Sequence, residues 1–193
     1  MIQVLRALRA LLVFTILTGI GYPLILTLGA QVAFPHQAEG SLVEVSDEIL
    51  GSELVGQAWE GEEWFYGRPS AVGYDAAASA GANLGPTSKA LFEQFQERAR
   101  AIIDLEGAYS DPLRVKDIPV DLLTSSGSGL DPHISVTAAL FQAARVAEVR
   151  GVSLGRVEAL ISDQTEAKTL GVWGLERVNV LRLNLALEDL ARP

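Results

Sequence analysis

Residues 10–35 carry no charged side chain, and no other stretch of the chain is as long without one. At about 1.5 Å per residue, a helix over residues 10–33 covers a hydrocarbon core of roughly 30 Å while pairing its own backbone groups, as lipid requires. The pattern beyond is that of a soluble domain. Short apolar alternations at 40–45 and 53–57 predict strands, with Gly51 and Gly56 at turns or bulges. Residues 71–86, rich in Ala, Gly, Ser and Asn, have no period and predict a long irregular loop. Leu91, Phe92, Phe95, Ala99, Ile102 and Ile103 recur at helical spacing, predicting a helix over 88–105. The run 120–123 predicts a buried strand, and Asp131 with Pro132 reads as the cap and first position of a helix that stops at Gly151. Further helices are predicted from Ser153 through Ile161, and over 178–190 with Asn179 as cap, although the Val and Leu content there also allows a strand.

The predicted fold class is α+β: a single N-terminal transmembrane helix followed by one extracytoplasmic mixed α/β domain. A cleaved signal peptide competes for the first segment, with Arg6 and Arg9 as its basic region. The apolar run exceeds a signal core, and Leu28 sits where a small residue would precede Ala30. Arg6 and Arg9 on one side, against His36, Glu39 and Glu44 on the other, put residues 1–9 in the cytoplasm and 37–193 outside. Pro23 removes the partner of the Gly19 carbonyl and predicts a kink, while Gly19 and Gly21 leave room for a neighbouring helix; Thr15 or Thr18 could bond carbonyls within the same helix.

Charge narrows the partners. After His36 there are 13 basic against 24 acidic residues, a net −11, which disfavours nucleic acid and anionic headgroups. There is no cysteine, so the domain stands on its core without disulfides. Two histidines and no nucleophile–base spacing leave no catalytic or metal pattern. Asp117, Asp121 and Asp131 could offer oxygen ligands to a cation, at a spacing that fits no calcium loop. Trp59, Trp64, Phe65 and Tyr66 read as core or a hairpin face, with a carbohydrate or quaternary-amine site as the alternative. The segment Thr124 to His133 is the most phosphate-like in the chain, but no Lys follows Gly129 and Pro132 removes a donor, and capping by Asp131 and Pro132 accounts for the same residues more simply than anion binding does.

An ordered set of short motifs goes further. Tyr22-Pro23-Leu24, Gly51-Ser52-x-Leu54-x-Gly56-Gln57, Arg68-Pro69-Ser70-Ala71, Tyr74, Ser79, Gly81, Asn83-Leu84-Gly85-Pro86-Thr87, Pro119-Val120-Asp121-Leu122, Thr124 with Ser126 to Ser135, and Val178-Asn179-Val180-Leu181 with Leu183 to Leu187 run through nearly the whole chain. Together they closely resemble the C chain family of the Kdp potassium-transporting ATPase. Departures from that pattern fall in loops: Asp75, Ala80, Ala82, and Gly171-Val172-Trp173-Gly174-Leu175 in place of a shorter turn.

The resemblance implies an inner-membrane complex of a channel-like A chain, a P-type ATPase B chain, the small F chain and this chain. The C chain is then not itself the ATPase but a catalytic chaperone that raises the B chain's affinity for ATP. It would have no cofactor of its own, with ATP contact part of the family description. Candidate nucleotide contacts are Gln57, Ser126, Gly127, Ser128, Gly129 and Asp131. The orientation inferred from charge conflicts with this, because it places these residues outside, away from ATP. The rival function from another class is a membrane-tethered periplasmic enzyme or solute-binding protein working through residues 71–86.

Overall fold

In the computed structural model, which describes residues 1–45, 48–110 and 112–191, the chain divides into two units at residue 52. The first unit opens with an apolar helical run, Ile2–Ala33, long enough to cross a membrane. It consists of α1 (Ile2–Ile16), a π-helical turn at Leu17–Gly21, and α2 (Tyr22–Ala33). The π turn ends two residues before Pro23, where the ladder must rearrange because proline lacks the donor. Tyr22 N–H bonds back to the Leu17 carbonyl, and Thr18 Oγ1 donates to the Phe14 carbonyl at 2.7 Å. The irregularity expected from Pro23 is therefore a π bulge, and of the two threonines Thr18 makes the intrahelical bond.

A single turn, α3 (Pro35–Ala38), leads to an antiparallel hairpin of β1 (Leu42–Val45) and β2 (Glu48–Ser52). The second strand expected at 53–57 is thus displaced towards the N-terminus. Register shifts between Val43 and Glu44, which leaves Leu50 as an extra residue beside Gly51 at φ 150°. Gly51 does mark a bulge, inside the strand.

The second unit is built on α4 (Lys89–Glu106), a 3₁₀ turn at Val115–Asp117, α5 (Val120–Leu123), β3 (His133–Ser135), α6 (Val136–Arg150), α7 (Leu154–Asp163), β4 (Thr165–Glu166), β5 (Arg177–Asn179) and α8 (Val180–Ala191). The three strands form one antiparallel sheet with β5 in the middle. With the apolar N-terminal helix, this is an α+β molecule. Ile134 and Val178 point from the sheet into a core completed by Phe65, Val146, Val157, Ile161, Leu183 and Leu187. Small residues Ala138, Ala139, Ala143 and Ala147 on α6 are buried, which keeps the packing around that helix close.

Two local expectations are corrected. The run 120–123 is one helical turn after Pro119, burying Leu122 and Leu123; four residues, one of them Asp121, are too few to carry a period. Asp131 and Pro132 do not start a helix, because His133–Ser135 pairs with β5 and Val180 N–H bonds the Pro132 carbonyl. Ser135 is the cap instead, its side chain accepting from Ala138 N–H at 3.0 Å. The other boundaries agree with the reading, except that Val178 and Asn179 lie in β5 and the last helix starts at Val180. Gly151 ends α6 at φ 66°, Ser153 precedes α7, and the Asn179 side chain accepts from Arg182 N–H at 3.2 Å at the start of α8.

Candidate functional site

The aromatic segment before Gly67 lies outside the strands, and side chains hold all five of its carbonyls from Glu62 to Tyr66 and the N–H groups of Phe65 and Tyr66. Asn184 bonds both the N–H and the carbonyl of Phe65, at 2.9 and 3.0 Å. Gln142 does the same for Tyr66, at 2.8 and 3.2 Å. Arg145 donates to the Glu62 and Trp64 carbonyls, and Arg150 to that of Glu63 at 2.9 Å. Arg145 is fully buried, with Nε on Glu106 Oε1 at 2.9 Å, while Glu106 Oε2 has no hydrogen-bond partner among the described residues. Burial pushes the Glu106 carboxyl up, aided by Glu62 and opposed by Arg145. Cations also cover the rings: Arg145 lies 4.8 Å from the centroid of Tyr66 and Arg150 4.2 Å from that of Trp64. The chain's own arginines thus occupy faces that an aromatic cage would offer to a ligand.

The glycine-rich loop at 125–131 packs against the irregular segment at 69–81. Ser126 N–H bonds the Pro69 carbonyl at 3.0 Å, Ser70 Oγ donates to the Gly129 carbonyl at 2.7 Å, and Ser79 Oγ to that of Ser128 at 3.0 Å. Gly129 sits at φ 70°, and a Cβ there would lie 2.7 Å from the Ala80 carbonyl oxygen. One at Gly81 would lie 2.8 Å from that of Gly127. These glycines permit two backbones to touch. Gly56 serves a related contact, with its N–H on the Leu130 carbonyl at 2.8 Å and Asp131 O where a Cβ would be.

On the outward face of the three-stranded sheet, His133, Asn179, Arg177 and Glu166 share one side because 134 and 178 face the core. His133 stands 3.7 Å from Asp131 and 3.5 Å from Glu166. Asp131 pairs with Arg68 at 3.2 Å, Glu166 with Arg177 at 2.9 Å, and Arg182 reaches both Glu166 and Glu53. Burial works against ionisation of Asp131, but hydrogen bonds from His133 and the Arg68 charge outweigh it and hold the carboxyl below its ordinary value. Glu166 is likewise lowered, burial being overcome by Arg177, His133 and Arg182. A cleft of about 620 Å³ opens here, lined by Arg68, Val120, Asp121, Asp131, His133 and Arg177 among others.

Of the candidate nucleotide contacts, Gln57 and Asp131 share a crevice of about 10 Å³, room for roughly one water. Ser126 is buried under the Pro69 contact, Gly129 is buried, and Gly127 and Ser128 lie at the exposed tip. Asp117 pairs with Arg114, Asp121 accepts from Ser135, and no group of three His, Asp or Glu is arranged around a metal position among the described residues. Reading the sequence passed over Glu166, Arg177 and Arg182, and met Arg68 only as part of the Arg68-Pro69-Ser70-Ala71 motif. The only signal was polar–apolar–polar alternation in His133-Ile134-Ser135 and Arg177-Val178-Asn179, three residues each.

These features define a class: an α+β domain behind an apolar helix long enough to span a bilayer. Residues 4–189 match the family described as K+-transporting ATPase, c chain, and the molecule belongs to that KdpC family. It is 49% identical over 187 residues to the potassium-transporting ATPase KdpC subunit of Methylococcus capsulatus, covering 95% of this chain and 96% of the relative. The same subunit of Herpetosiphon aurantiacus is 48% identical over 187 residues, covering 95% and 94%. That of Mycobacterium tuberculosis is 49% identical over 190 residues, covering 97% and 98%.

Proposed function

We propose that this chain is a non-catalytic accessory subunit of an ATP-driven potassium-uptake complex, fixed in the inner membrane by its N-terminal helix with the larger unit outside. The carrying observation is that the family match runs through the apolar helix and the domain alike. In this reading the chain joins a channel-like A chain, a P-type B chain and the small F chain, assembles them and raises the B chain's affinity for ATP. That effect is transmitted through chain contacts rather than by ATP held in the 125–131 loop, whose carbonyls and glycines are taken up by the 69–81 segment. The acidic domain also suits an outer position near entering cations.

Purifying the tagged full chain in mild detergent tests the assembly. Larger membrane proteins should come with it in fixed ratio, with potassium-stimulated ATPase activity that falls when this chain is removed. A chain that emerges alone would instead support the tethered enzyme or solute-binding protein. External protease on spheroplasts tests the orientation. Cleavage within residues 53–193 is expected, and resistance would put the domain inside and bring direct ATP contact at Gln57 and the 126–131 loop back into play.

A further inference from the structure

The turn between β4 and β5 carries four large apolar side chains with nothing over them. Leu170 is 80% exposed, Val172 71%, Trp173 65% and Leu175 81%. The turn is nonetheless shaped. Thr169 and Trp173 exchange backbone hydrogen bonds at 2.9 and 3.0 Å, and Gly171 N–H bonds the Lys168 carbonyl at 2.9 Å. Leu170, Gly171 and Gly174 all have left-handed backbone, at φ 53°, 76° and 84°. For leucine that conformation is unfavourable, so the turn spends stability on displaying its apolar tip. At its base the Arg177–Glu166 pair ties the two strands. Leu175 also lines the cleft with Arg68 and His133, so an apolar knob adjoins a polar shoulder, the layout of a protein interface.

We propose that residues 170–175 form a knob by which the domain seats in an apolar socket on another protein chain of the same transport complex. This rests on the accessory-subunit reading and deepens it. Charge selects among the apolar surroundings open to a membrane-anchored chain. The unit that bears the knob, residues 53–193, carries 20 acidic against 13 basic residues, a net −7, and is repelled by anionic headgroups and by a second copy of itself, whereas a protein socket with a neutral or basic rim accepts it. A preformed turn with an aromatic tip is also the type of anchor that fills a pocket with little ordering cost.

The test uses the full chain in its detergent-purified complex. A photo-crosslinking phenylalanine at position 173 should trap a larger chain of the complex, while the same group at exposed Val149 should not. The double variant Trp173→Ser, Leu175→Ser should weaken recovery of the complex by about thirtyfold, with an unchanged melting curve showing that the domain still folds. If wild type brings down its partners and the variant does so equally well, the knob is refuted and the accessory reading stands. Capture of lipid, or of a second copy, at position 173 also overturns the knob. If wild type brings down nothing, the accessory reading itself fails and the knob falls with it.

Discussion

The Arg145–Glu106 pair and the Asp131–His133–Glu166 series use similar groups in different surroundings. The first pair is 0% and 3% exposed, and Arg145 also donates to the Glu62 and Trp64 carbonyls. In the second, side chains are a fifth to a third exposed, and the backbone nearby is already paired within a sheet. Burial makes the first an element of the fold, because removing one member leaves the other's charge without its partner away from water. Water and redundancy make the second dispensable to the fold, which leaves its charges available to whatever meets that face.

Arg145→Ala should break the comparison most severely. It leaves Glu106 buried without its counter-charge and orphans the Glu62 and Trp64 carbonyls, at a cost of about 3–5 kcal/mol in chemical denaturation. Asn184→Ala strands the Phe65 N–H and carbonyl in the core and should cost about 1–3 kcal/mol, read the same way. Gly129→Ala asks whether the front is held by backbone packing rather than by ions. At φ 70°, against the Ala80 carbonyl, the added methyl should cost about 1–3 kcal/mol, more than any single ion-pair deletion on that face. A smaller loss for Gly129→Ala than for Asp131→Asn would reverse the assignment.

Much of this was legible in the chain because it was long and periodic. The apolar run, the 89–106 helix, Gly151 and the Asn179 cap each rest on a signal that local physics carries unaided. The sheet was not legible. Its strands are two or three residues long, and Asp131-Pro132 imitates a helix start until β5, more than forty residues later, claims His133–Ser135. The pinned aromatic segment was hidden for a related reason: Gln142, Arg145 and Asn184 look like ordinary polar positions on helices until the backbone at 62–66 is laid beside them. The glycine-rich loop was misleading in another sense, since the same glycines that suggest an anion cradle also serve two loops packed face to face.

The smallest expected effect is the most discriminating, because acid should move the two clusters in opposite directions. Asp131 and Glu166 are lowered in the fold, so they stabilise it above their ordinary values of 3.8 and 4.5 and lose that contribution as pH falls below them. Glu106 is raised, so its buried charge weighs against the fold above its ordinary value of 4.5, and protonation relieves that as pH falls towards 4.5. Comparing wild type with Asp131→Asn across the acid range, the wild-type advantage should be about 0–1 kcal/mol near neutrality and should vanish below the carboxylate range. Against Glu106→Gln, wild type should instead gain ground as pH falls towards 4.5. Melting both variants at stepped pH reads the two slopes. Slopes of the same sign would mean that the cleft charges are as buried in solution as Arg145 is, and that the sheet face belongs to the core.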